Sequence, residues 1–159
     1  MVGKKRRGQP AIGTLVGADT RVHGDIGDAE VADRLESFKP LRAVYGNIDD
    51  KDIRTRFPED LIFDCEGLSV WITHIGGTPP RYNPRITKIL KTHTPHIFIC
   101  GHSHILKVMP DKGRRNMIYI NPGAAGQHGF HKVRTIIKME LDNKKIVDMK
   151  VVELGLRGR

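Results

Sequence analysis

Long hydrophobic runs are missing from this sequence. No apolar stretch in the 159 residues approaches the roughly 20 that a membrane-spanning helix needs. The opening MVGKKRRGQP has a charged head but no apolar core behind it, so it does not read as a secretory signal. Cysteine is scarce as well: there are only Cys65 and Cys100, both inside apolar stretches. That disfavours a disulfide framework and leads us to expect two buried thiols in a reducing compartment, hence a cytoplasmic address. Internal repeats and low-complexity tracts are also lacking. What remains is an ordinary globular composition, 38% hydrophobic and 28% charged, and a length suited to one domain.

The net charge of +9 raises the question of a nucleic-acid partner. Its distribution argues against one. Residues 1–24 hold five basic side chains (Lys4, Lys5, Arg6, Arg7 and Arg21) against one acid, Asp19. That short segment supplies +4, leaving only +5 on the other 135 residues. The cluster Lys4 to Arg7 reads as a solvated tail. We therefore expect no nucleic-acid and no membrane partner.

From Asp25 onward the patterning is regular. In GDAEVADRLESFK, Asp28 is placed to cap a helix whose Val31, Leu35 and Phe38 share one face, and Pro40 ends it. LRAVYGN reads as a short buried strand, and LIFDCEGLSVWITHIGG as two strands around a Glu66-Gly67 turn. NPRITKILKTH offers Asn83 as cap and Pro84 at the first helical position, with Ile86, Ile89 and Leu90 on one face. HIFICGHSH reads as a further strand. ILKVMPDKGRRNMIYIN reads as a hairpin turning at Gly113, and RTIIKMELDNKKIVDMKVVEL as another turning at Asp142-Asn143. This order predicts an α/β fold, two sheets face to face with helices outside. The first 24 residues fit it poorly, although AIGTLVGA could form a strand.

Several polar residues share one expected position, the carboxyl end of a strand, where open α/β sheets place their ligands. They are Asp25 after Gly24, Asn47 after Gly46, His74 after Thr73, and the pair His102 and His104 after Gly101. The preceding glycines would let the chain turn and aim the next side chain into a shared cleft. Carboxylate, amide oxygen and imidazole together suit Mn2+, Fe2+, Zn2+ or Mg2+, not a thiolate site. Singly, each motif has a plain alternative: Gly-Asp and Gly-Asn as turns, His74 as a core histidine. His-x-His carries more weight, because within a strand both rings would face one side.

Taken in order, Gly24-Asp25, Gly46-Asn47-Ile48-Asp49, Thr73-His74 and Gly101-His102-Ser103-His104 resemble the calcineurin-like metallophosphoesterase superfamily, in particular its small YfcE-type phosphodiesterases. INPGAAG, Ile120 to Gly126, is similar to the family's Asn-Pro-Gly-Ser segment with Ala124 at the serine. The resemblance spans about residues 23 to 154 and divides the chain into an atypical basic segment, 1–22, and a metallophosphoesterase domain, 23–159. It implies a four-layer α-β-β-α sandwich and hydrolysis of a small phosphodiester by water activated at two metal ions. Manganese is the expected ion, with Fe2+, Zn2+, Ni2+ or Mg2+ as alternatives. By the same resemblance Asp25 would bridge the ions, Asn47, His74 and His102 would bind the second, and His104 the first. Homo-oligomerisation is left open.

Two departures qualify this. The family opens on a strand ending in Asp-x-His, which supplies the remaining ligands of the first ion, followed by a helix and a second strand before Gly-Asp. Here the nearest match is Asp19-Thr20-Arg21, with arginine at the histidine and Asp19 only six residues before Asp25. A crossover between parallel strands needs about 10–12 residues. Asp19 is therefore expected in a turn or tail, His23 in the strand before Gly-Asp, and the first strand and helix to be missing or altered. Either residues 1 to about 22 arise from a shifted start or frame, or the first site has decayed. The other departure is Ile48, where many relatives carry the proton-donating histidine. That leaves His128 and His131 as candidates by type alone. The alternative function is a catalytically impaired member serving as a protein scaffold, as the resemblance to the sorting subunit of retromer implies.

Overall fold

The computed structural model describes residues 14–16 and 19–158. The Lys4 to Arg7 cluster lies outside the described residues. Two five-stranded sheets pack face to face. The first has the order β12-β11-β1-β2-β3, the second β4-β5-β8-β10-β9. In chain order the first sheet takes β1 (Thr14–Val16), β2 (Asp19–His23) and β3 (Leu41–Val44), and then β11 (Val133–Asp142) and β12 (Lys145–Leu156). The second takes β4 (Asp60–Cys65), β5 (Leu68–Thr73), β8 (Ile97–Ile99), β9 (Lys107–Asp111) and β10 (Met117–Asn121). Helices α1 (Ala29–Phe38), α2 (Lys51–Arg56) and α3 (Pro84–Ile89), with the small ribbon β6 (Gly77–Thr78) and β7 (Arg81–Tyr82), complete the chain.

Three apolar clusters make the four layers. Between the sheets, Val44, Ile137 and Met139 meet Val70, Ile72, Ile97, Ile99 and Ile120. On the outer face of the second sheet, Trp71, Phe98 and Tyr119 pack against Tyr82, Ile86 and Leu90 of the α3 region. On the outer face of the first, Val22 and Ala43 are covered by Ile26, Ala32, Ile53 and Phe57. Period-2 sequence therefore feeds two faces at once: in β11, Thr135, Ile137, Met139 and Leu141 are buried while Lys138 and Glu140 are exposed. The α-β-β-α sandwich expected from the sequence is the fold observed.

The helix caps act as the sequence suggests. Asp28 accepts from the Val31 amide, and Asn83 from that of Arg85. Within α1, however, Ala32 is the buried residue and Phe38 is 72% exposed, so the core-facing stripe is narrower than the apolar spacing implies. Helix α2 is absent from the sequence reading. It has six residues, one buried apolar side chain (Ile53) and an Asp50 cap, which is too short a pattern for periodicity to reveal. Arg56 of α2 bonds Asp33 and Glu36 of α1 at 2.7 Å each, tying the two helices together. The last hairpin turns at Asn143 and Lys144, both at positive φ, with Asp142 paired to Lys145. This is one residue later than expected and has the twist that two-residue hairpins favour.

The N-terminal strands correct one expectation. Asp19 is not in a turn or tail: it opens β2, paired with Val16 of an antiparallel neighbour. β1 also runs parallel to β11 and β2 parallel to β3, while His23 closes β2 as expected. The long crossover that the resemblance implies is thus replaced by direct antiparallel pairing, so the first described strand is altered relative to that expectation.

Both cysteines are thiols without a disulfide; Cys100 is buried and Cys65 half-buried. Burial pushes the Cys100 thiol up to about 11, against partial offset from the Tyr119 hydroxyl at 3.3 Å. Only the thiolate attacks disulfide reagents. Native protein at pH 8 is therefore expected to label at Cys65 well before Cys100, with Cys100 reacting only on unfolding. Peptide mapping after a timed pulse of thiol reagent checks this; equal labelling would contradict it.

Candidate active site

The polar residues singled out in the sequence gather where β2, β3, β5 and β8 end. Asp25 follows β2 and Asn47 follows β3 in the first sheet, whereas His74 follows β5 and His102 follows β8 in the second. The site thus sits across the seam between the sheets. The His74 Nε2 lies 2.9 Å from Asn47 Oδ1 and 3.4 Å from Asp25 Oδ1. Both partners only accept, so Nε2 carries the hydrogen. The His102 ring stands 5.2 Å from that of His74 at 78°. Asp25 and His74 are 8% and 4% exposed, whereas Asn47 and His102 face solvent.

The backbone around these groups is unusual. Asp25, His102 and His104 adopt φ of 54°, 64° and 57°. His102 and His104 consequently lie beyond β8, not within it, and their alternation is set by the loop and not by strand pleating. Gly101 anchors that loop by donating to the His74 carbonyl at 2.9 Å, and the Ser103 amide bonds the Gly101 carbonyl at 2.8 Å. Gly24 turns the chain at φ 95° as expected. Gly46 serves a different purpose: a β-carbon there would sit 2.1 Å from Asp25 Oδ1. It provides close approach, not a turn.

Residues beyond the predicted set hold the loops. The buried Asp49 carboxylate accepts the Gly27 amide at 2.9 Å and the Gly46 amide at 2.7 Å, joining the loops after β2 and β3. Arg54 of α2 reaches the carbonyls of Gly46, Asn47 and Asp49 at 2.8–3.1 Å. Buried Asn121, at the end of β10, donates to the Gly101 carbonyl and Ser103 hydroxyl at 3.0 Å each and accepts from Gly123. Asp49 and Asn121 stand in quoted motifs, so the sequence carried a signal for them. Arg54 had none, because its partners are backbone oxygens.

His104 is half-buried, with its ring 5.2 Å from that of His131. Burial, and then repulsion from His131, lower its pKa below the ordinary imidazole range and favour the neutral ring. A cleft of about 250 Å3 is bordered by Asp25, Asn47, Ile48, His102, His104 and His128, with Gly126, Gly129 and Phe130 closing one side. Asn47 and His74 border an adjoining cleft of about 230 Å3.

Among the described residues, no three His, Cys, Asp or Glu side chains are drawn together as a closed metal cage. The tight trio instead contains an amide: Asp25, Asn47 and His74. With ion–ligand bonds of about 2.1 Å, adjacent ligands of a six-coordinate ion stand about 3 Å apart. The 2.9 and 3.4 Å separations fit that edge length, and an O, O, N donor set suits a hard or borderline cation. Loading would move the His74 hydrogen from Nε2 to Nδ1, a change of tautomer within the neutral ring.

The family model for the calcineurin-like phosphoesterase superfamily domain matches residues 9–144. No curated protein sequence matches significantly. Among solved structures, a novel archaeal phosphodiesterase superposes with a TM-score of 0.61 at 19% identity, covering 89% of this chain and 83% of that one. A predicted phosphoesterase from Streptococcus pneumoniae gives 0.62 at 14%, covering 91% and 97%. The Zn2+ complex of the vacuolar sorting protein Vps29 from Entamoeba histolytica gives 0.63 at 17%, covering 91% and 83%.

Proposed function

Because the chain belongs to the calcineurin-like phosphoesterase superfamily, we propose that it is a metal-dependent phosphodiesterase acting on small phosphodiesters. The observation that carries this reading is the convergence of Asp25, Asn47 and His74 donor atoms at the seam between the sheets. In this reading Asp25, Asn47, His74 and His102 hold one divalent ion, and Asp25 with His104 contributes to a second; Mn2+ is the ion we favour. A bound divalent ion supplies Lewis acidity, polarising the phosphoryl group and lowering the pKa of water.

The chain's own residues do the rest. Asp25 supplies the fixed negative charge, and Asp49 keeps Asp25 and Asn47 in register by clamping their loops. The exposed His128 borders the same cleft and is placed to protonate a leaving oxygen. Apolar Ile48 and Phe130, 67% and 99% exposed, form part of its rim. They suit a diester with an apolar or planar leaving group. Phe130→Ala is expected to raise KM several-fold, roughly the effect of about 1 kcal/mol, with little change in kcat or melting temperature. Steady-state kinetics on an aryl diester checks this.

The direct test is hydrolysis of bis-p-nitrophenyl phosphate with added Mn2+, comparing wild type with His102→Ala and Asn47→Ala. Wild type should turn over only with the ion, and both variants should lose about 10–100-fold. Absence of metal-dependent turnover above the variants would sink the phosphodiesterase reading. A scaffold role is the second reading. It is favoured by the outer strand β12, where Val147, Val151, Leu154 and Leu156 are exposed. The same edge would serve homo-oligomerisation, which light scattering after gel filtration tests. No described helix is long and apolar enough to cross a membrane.

A further inference from the structure

We propose that a second ligand site lies at the end of the sandwich away from Asp25, and that it takes a small organic phosphate with a planar apolar body, such as a mononucleotide. The site uses none of the phosphoesterase motifs, so it stands or falls apart from that reading.

A cleft of about 580 Å3 opens there, more than twice the volume beside Asp25 and within the range of small-molecule sites. Both sheets build it. Leu68 begins β5, Ile97 begins β8 and Met117 begins β10, whereas Lys144 lies in the turn after β11 and Lys145 begins β12. These are the strand ends opposite to those that lead into His74 and His102. The sheets are tied together here: the Lys144 amide donates to the Glu66 carbonyl at 2.8 Å. The Lys144 stem lies against Gly67, where a β-carbon would stand 2.8 Å from its Cγ.

Arg115, Lys144 and Lys145 all border the cleft and are exposed, and among the described residues none of the three has an ion pair. No described carboxylate borders it; Glu66 and Asp142, in the adjoining turns, lie outside. A lone surface lysine is ordinarily just solvated. Three cations without an anion in one recess are different, because a low-dielectric wall focuses their field. The Ser69 amide donates to His96 Nδ1 at 3.0 Å, so Nε2 carries the hydrogen and adds a neutral donor to the same border. Phosphate oxygens accept charge-assisted hydrogen bonds from such a set.

The apolar wall is recessed behind these cations. Half-buried Ile118 and Ile146 lie in it with Leu68, Ile97 and Met117, which are 7%, 1% and 1% exposed. A membrane surface calls for apolar side chains that project into it. A recessed wall under a cationic rim suits a flat ring carrying a phosphate.

The test is an amide NMR titration of the full-length protein with adenosine monophosphate. The expected result is saturable shifts at Ile97, Ile118 and Lys145, half-complete below about 1 mM and weakened by high salt, with Asp25 and Asn47 unmoved. Arg115→Gln combined with Lys145→Gln should weaken binding at least about tenfold and leave the melting temperature unchanged, since both side chains are exposed. Should that variant not fold, comparisons on wild type still decide. Adenosine and inorganic phosphate should each bind at least about tenfold more weakly than the nucleotide. Equal binding of either, or still amides at Ile97, Ile118 and Lys145, overturns the site. A single-stranded oligonucleotide that displaces the nucleotide at equal phosphate concentration overturns it in favour of a polyanion surface. Shifts at Asp25 and Asn47 alone overturn it and leave the phosphoesterase reading standing. Shifts at this cleft in a protein without metal-dependent hydrolysis uphold this site alone.

Discussion

Asp25→Ala is expected to reduce Mn2+-dependent turnover of bis-p-nitrophenyl phosphate by at least about 10^2–10^3-fold, the loss typical when one preorganised electrostatic group is removed from an active site. Asp25 is 8% exposed, and its Oδ1 lies 3.4 Å from both His74 Nε2 and the Ile48 amide. Among the described residues no other carboxylate borders the 250 Å3 cleft. In the proposed reading it is common to both ion sites, so its removal acts on each at once. Asp25→Asn keeps the shape and one oxygen but removes the charge. It should therefore be nearly as inactive while melting close to wild type, which separates chemistry from folding. Measuring kcat/KM and melting temperature together checks this. A rate within about tenfold of wild type for both variants would remove Asp25 from the reaction.

The second large effect concerns a residue with no side chain. Gly24→Ala is expected to cost about 2–5 kcal/mol of stability, as backbone strain and overpacking add. Its φ of 95° is unfavourable for alanine, and the new methyl carbon would stand 2.4 Å from His74 Nδ1 and 2.8 Å from the Gly46 backbone. Neither neighbour can retreat: His74 is held by Asn47 and Asp25, and the Gly46 amide by Asp49. Gly158→Ala is the control, because that glycine also has positive φ (76°) but nothing within 4 Å of the added carbon. It isolates the strain term at about 1 kcal/mol. Urea midpoints for the two variants measure the difference. Equal losses would mean that the seam is not packed as described. A domain with about 5–15 kcal/mol in hand should show the Gly24 substitution plainly.

What the sequence made legible follows from how local each signal is. Helix α1 was readable because Asp28 and the apolar spacing act within a few residues of each other. The two hairpins were readable for the same reason. The five proposed ligands were named from short motifs, and the structure brings Asp25, Asn47, His74 and His102 to one end of the sandwich with His104 beside them. Helix α2 was not readable, since its stability rests on Ile53 in a cluster assembled from distant segments and on Arg54 bonding loop carbonyls. His-x-His was read as strand alternation, but positive φ at both histidines replaces pleating with a loop. Asp19 stands in a strand because antiparallel pairing with Val16 needs no crossover, whereas the minimum of about 10–12 residues holds only between parallel neighbours.

The Asp49 clamp has a mechanical meaning. A single carboxylate, 4% exposed, holds the amides of Gly27 and Gly46 and so joins two segments 19 residues apart in sequence. The loops carrying Asp25 and Asn47 are thereby made to travel as one jaw. The opposing jaw, with His74 and His102, is joined in the same manner by Gly101 and Asn121. Opening between these two jaws must then be a hinge between whole sheets, since neither the Asp25 and Asn47 loops nor the His74 and His102 loops move singly. Substrate access would be governed by the stiffness of the intersheet core, so that packing changes as remote as Ile137 or Met139 could alter turnover without touching the cleft.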